Sequence, residues 1–141
     1  MRVFFFILLC IAAFLRNAAA ADYVVIVNPN SGIERLGREE VINIFLGRQR
    51  KLPSGITALP VDLAVPSAHK EQFYSALVNK KLPEINSYWA RLMFSGQGSP
   101  PRQAESTDEV LEIVSSSKGA IGYIDRKNLN KQVKAVFDLS Q

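Results

Sequence analysis

Apolar and polar positions fall into blocks along this chain, and the period of the blocks switches between that of a strand and that of a helix. Asp22-Tyr23-Val24-Val25-Ile26-Val27-Asn28 is a short β-branched run with apolar residues at consecutive positions, which predicts a strand covered on both faces. Asn28-Pro29-Asn30-Ser31-Gly32 then supplies strong turn punctuation. Residues 38–46 (REEVINIFL) place Val41, Ile42, Ile44, Phe45 and Leu46 on one wide face, with Glu39 and Glu40 in the first turn and Gly47 as the stop. Residues 56–63 (ITALPVDL) read as a second strand, and Pro60 inside it predicts a sheet edge or a bulge.

Helical spacing returns twice more before the middle of the chain gives way to a loop. Pro66-Ser67 precedes a helix over residues 68–78, with Phe73, Tyr74, Ala76 and Leu77 on its inner side. Leu82-Pro83 interrupts, and residues 84–94 form an amphipathic helix whose spacing favours Trp89, Leu92 and Met93 as core, the alternative being an exposed contact surface of Tyr88, Trp89 and Phe94. Ser95-Gly96-Gln97-Gly98-Ser99-Pro100-Pro101 can only be a loop. Ser106-Thr107-Asp108-Glu109 has the cap-and-acid chemistry of a helix start, and Lys118-Gly119 ends that helix. Residues 120–124 and 133–139 read as the last strands, with no internal repeat. Alternating strands and helices make this a single α/β layer system.

The first 21 residues stand apart. Arg2 precedes a 13-residue apolar run, residues 3–15, and four alanines follow at 18–21. A bilayer span needs about 20 residues, so the pattern predicts an export signal removed near Ala21 rather than a lasting anchor. Cys10 lies inside the run behind the large Leu9, which is wrong for lipid attachment, and it would be lost with the signal. The mature part, residues 22–141, then holds no cysteine, which suits an oxidising compartment such as the bacterial periplasm.

Composition narrows the chemistry further. Net charge is +4, and it falls to +2 once Arg2 and Arg16 leave with the signal, too little to imply nucleic acid. One Cys and one His exclude a disulfide and a thiolate cluster. His69 has no triad partner at a readable spacing and there is no G-x-S-x-G element, so an enzyme is not expected and no cofactor is implied.

The ordered set Val25-Ile26-Val27-Asn28-Pro29, Ile44-Phe45-Leu46-Gly47 and Lys118-Gly119-Ala120-Ile121-Gly122-Tyr123-Ile124 resembles the second lobe of phosphate ABC transporter substrate-binding proteins. Tyr88-Trp89 and residues 94–101 resemble a compact, single-lobe subgroup of that superfamily. The resemblance implies one lobe of a type 2 periplasmic binding protein-like fold, a mixed sheet with helices on both faces. It also implies phosphate or another oxyanion as ligand. The family's lobe carries an arginine and then Gly-Ser-Gly-Thr opening a helix. Here Ser67 matches the serine, while Leu63, Pro66, Ala68 and His69 stand at the other positions.

Anion chemistry survives at that helix start, where unpaired amides and a partial charge of about +0.5 remain. The candidate ligand residues are Ser67, Ala68 and His69, with charge from His69 or Lys70. A second candidate is Ser31-Gly32, read as a helix start after the first strand. Each serine has a plainer role, Ser67 as an N-cap and Ser31 in a turn. Arg102 either forks an anion or pairs with Glu105. The alternative to a ligand-binding component is a non-catalytic envelope interaction module that docks on a partner protein or self-associates.

Overall fold

The first strand, β1 (Tyr23–Val27), is buried along its whole length, as its unbroken apolar run requires. A computed structural model describes residues 22–64 and 67–140, so the expected signal segment lies outside the described residues. The chain continues through α1 (Arg38–Phe45), β2 (Leu59–Leu63), α2 (Ala68–Val78) and α3 (Leu82–Phe94). It then forms β3 (Arg102–Ala104), α4 (Thr107–Ser116), β4 (Ala120–Asp125), a 3-10 turn (Arg126–Asn128) and β5 (Lys134–Asp138). One five-stranded sheet has the order β3-β2-β4-β1-β5. β2 is parallel to both β3 and β4, whereas β1 is antiparallel to β4 and β5. The mixed α/β lobe expected from the sequence is the fold observed.

Helices cover both faces of this sheet, and β4 shows how. Gly122 faces α4, where an added Cβ would lie 2.8 Å from Val110 and 3.4 Å from Val114. Tyr123, next in line, faces the other way, and its ring stacks on Phe73 of α2 with centroids 3.7 Å apart. Phe45 of α1 packs edge-on against Phe73 at 5.0 Å. Gly119 is required for a different reason: its Cβ would sit 2.0 Å from the Thr57 carbonyl oxygen, so the chain entering β2 could not approach. The Gly-Ala-Ile-Gly-Tyr run is therefore a packing motif, with a strand neighbour at one glycine and a helix at the other.

Asn28 explains the turn after β1. Its Nδ2 donates to the carbonyls of Val114 and Ser115 at 2.9 and 3.0 Å, closing the C-terminal end of α4. Its Oδ1 accepts from Asn30 N at 2.8 Å.

Several expectations need correction. Pro60 is not on an edge strand, because β2 lies between β3 and β4. β3 pairs only from Val61 onward and Leu59 N points to β4, so the missing N–H of Pro60 falls where β3 has not begun. Ser31-Gly32 starts no helix; α1 begins after Gly37, whose N–H donates to Glu40 at 3.1 Å. Ala76 is exposed, and the buried side of α2 is instead completed by Lys70. Met93 is 53% exposed and Phe94 97%, so Trp89, with Tyr88 and Leu92 in part, joins the core from that end of α3 and Met93 does not.

Candidate functional site

β2 and β3 run parallel and each ends at the start of a helix, which brings two helix N-termini side by side. Ser67 is the N-cap of α2, and its Oγ accepts from Lys70 N at 3.1 Å. The hydroxyl proton remains free to donate, and the first-turn amides of Ala68 and His69 have no intrahelical acceptor. Ser106 caps α4 in the same way, with Oγ accepting from Glu109 N at 3.2 Å. The Glu109 carboxylate in turn accepts from Glu105 N at 2.7 Å, fixing the approach to that helix.

Between the two starts is a hollow of about 150 Å³ lined by Leu63, Ser67, His69, Glu105, Ser106 and Thr107. Both helix dipoles present their positive ends to it, an arrangement that favours negative charge. Glu105 opposes that preference for a fully deprotonated ligand, yet its carboxylate can accept a proton-bearing oxygen. His69 is held by β1. Its Nδ1 lies 2.5 Å from the Tyr23 hydroxyl, which donates to Gln72 at 3.1 Å. The two rings meet edge-on with centroids 5.6 Å apart. Burial, and next the nearby Asp125 carboxylate, raise the Tyr23 hydroxyl above its ordinary pKa, so the phenol stays protonated as this role needs.

The start of α2 is clamped from beneath by a polar cluster inside the core. Asp62 on β2, only 2% exposed, accepts from the Tyr74 hydroxyl at 2.6 Å and from the Tyr123 hydroxyl. It also takes the N–H of Leu63 at 2.8 Å. Lys70 Nζ donates to the Leu63 carbonyl at 3.0 Å and lies 3.8 Å from Asp62 Oδ2. Burial, then the Asp62 charge, drives both Tyr74 and Tyr123 well above the usual phenol range. Lys70 thus spends its charge inward, against the expectation that it could meet a ligand.

Of the residues anticipated from the sequence, Ser67, Ala68 and His69 belong to one helix start, with Ser67 and His69 in the wall of the hollow. Ser31 and Gly32 are elsewhere. β1 is antiparallel to β4, with Tyr23 opposite Asp125 and Val27 opposite Ile121, so the turn after β1 lies at the other end of the sheet. There Ser31 Oγ accepts from Ile33 N at 3.2 Å, and a Cβ on Gly32 would touch Ser54 at 3.0 Å. Arg102 and Glu105 do not pair, being at opposite ends of β3. Thr107 and Glu105 were not anticipated as site residues. Among the described residues no cluster of acids, His or Cys could hold a metal, and no helix is long and apolar enough to cross a membrane.

The fold has close counterparts among solved structures. An ABC-type phosphate transport receptor from Vibrio cholerae superimposes with a TM-score of 0.65 at 17% identity, covering 82% of this chain and 45% of that one. A protein from Clostridium perfringens, assigned as a phosphate ABC transporter substrate-binding protein and holding phosphate, gives 0.65 at 16%, with 82% and 44% covered. A third, assigned to phosphate binding in Planctomyces limnophilus, gives 0.54 at 17%, with 82% and 40% covered. The described lobe therefore has the fold of one part of such receptors and spans less than half of their length. No family model and no curated protein sequence matches the chain.

Proposed function

We propose that this chain is a non-catalytic oxyanion-binding lobe whose preferred ligand is hydrogenphosphate, held in the hollow between the starts of α2 and α4. The observation that carries the reading is the convergence of two capped helix N-termini at the ends of adjacent parallel strands. The likeness to receptors named for phosphate transport supports it. In this reading the amides of Ala68 and His69 and the hydroxyls of Ser67 and Thr107 donate to the anion. Glu105 accepts from the ligand's own O–H, which sulfate lacks at neutral pH. The protein acts after export, in the periplasm, once residues 1–21 are removed, and serves phosphate uptake as a transport component.

Calorimetry on residues 22–141 tests this. Phosphate should give saturable heat and sulfate a weaker response, and Ser67→Ala should reduce affinity by about tenfold to a hundredfold, the worth of one hydrogen bond to a charged group. No heat with phosphate at millimolar concentration refutes the proposal. Protein sequencing of the exported form should place the new N-terminus near residue 22; an N-terminus at Met1 contradicts cleavage.

A further inference from the structure

The opposite end of the sheet holds a larger cavity, and its walls have a different chemistry. About 500 Å³ lies beneath the loop of residues 95–101, where β2 and β3 begin. Strand β2 separates it from the hollow at Ser67, since Leu59 and Pro60 line the one and Leu63 the other. Two arginines, Arg50 and Arg102, line it, and no Asp or Glu does. Neither guanidinium forms an ion pair among the described residues; Arg50 reaches only the Gln97 carbonyl, at 3.5 Å. The wall between them is apolar and aromatic, with Leu46, Pro60, Tyr88 and Trp89.

Trp89 is 6% exposed and lends its ring to this wall, where its benzo edge lies against Gly47. The Tyr88 hydroxyl is already spent on the Leu46 carbonyl at 2.6 Å.

We infer that this cavity is a second binding site, for a small organic anion that joins a phosphate or carboxylate group to a flat apolar body. A guanidinium matches such a head group in a bidentate manner, and this wall carries two of them. The volume falls within the range of small-molecule sites, roughly 300–1,000 Å³, and far exceeds what an inorganic anion fills. A body seated against Trp89 and Pro60 uses the remaining space. The site is separate from the hollow at Ser67 and does not depend on phosphate binding there.

The chain contains one tryptophan and it lines this cavity, so its fluorescence responds to a ligand seated there. Phenyl phosphate added to residues 22–141 should change Trp89 emission saturably. Ser67→Ala should leave that response intact, and the double variant Arg50→Gln/Arg102→Gln should weaken it by at least about tenfold. Both arginines are exposed, so the variant keeps its fold, which circular dichroism verifies. Benzylamine and inorganic phosphate, each lacking one half of the ligand, should leave the emission unchanged. No response to phenyl phosphate at millimolar concentration overturns the inference. So does an undiminished response in the double arginine variant, or an equal response to benzylamine.

Discussion

Replacing Asp62 by Asn should destabilise the protein severely while changing almost no volume. The carboxylate is buried beneath two tyrosine hydroxyls and is the counter-charge to Lys70, which is itself buried. Removing one member of a buried ion pair costs about 3–5 kcal/mol, because the survivor is left charged in a poor solvent. Lys70 keeps its bond to the Leu63 carbonyl, so the low end applies, about 3 kcal/mol. That is a large part of the roughly 5–15 kcal/mol available to a domain. With a urea slope of about 2 kcal/mol/M, the midpoint should fall by about 1.5 M. Trp89, the only tryptophan, reports unfolding by fluorescence. Adding Lys70→Met to Asp62→Asn removes the stranded charge and should recover much of the loss. A single variant within 1 kcal/mol of wild type, or a double variant worse than either single one, would refute the clamp.

Other outcomes follow from the same geometry. Folding keeps Tyr74 and Tyr123 protonated, whereas the unfolded chain releases those protons near pH 10. Stability is thus fully retained below about pH 10 and lost as the pH rises above it, by up to about 2.7 kcal/mol per unit for two groups. Urea midpoints measured from pH 9 to 11 check this, and a flat profile contradicts it. Gly122→Ala should cost about 1–3 kcal/mol by wedging α4 off β4, and Gly119→Ala more, since its obstacle is backbone; thermal melts rank the two, and the reverse order would count against the packing described. Glu105→Gln should narrow the preference for phosphate over sulfate in calorimetry, because an amide can donate to either anion. An unchanged ratio would remove Glu105 from the site.

Local chemistry was the legible part of this chain. Helix α2 was legible over residues 68–78, with Ser67 before it and the break at Leu82-Pro83 beyond it, because an N-cap and a helical face are written in neighbouring residues. The strand β3 was missed: three residues directly after Pro100-Pro101 carry no periodicity, and pairing with β2 is what makes them a strand. The hollow was half visible for the same reason. Ser106-Thr107 reads as a cap, and only the parallel register of β2 and β3 sets it beside Ser67. Ser31-Gly32 misled because sequence shows where a strand ends without showing its direction in the sheet. The cluster around Asp62 joins partners 12 and 61 residues away. Its one trace in the sequence is a carboxylate set within the apolar run Val61-Asp62-Leu63, a position that demands buried partners.

Amide chemical shifts during a phosphate titration of residues 22–141 locate the anion directly. Ala68, His69, Thr107 and Asp108 should move together and saturate with one dissociation constant, while residues 28–32 stay still. Saturating shifts centred on the turn after β1, or none at either helix start, would contradict the assignment of the ligand to the junction of α2 and α4.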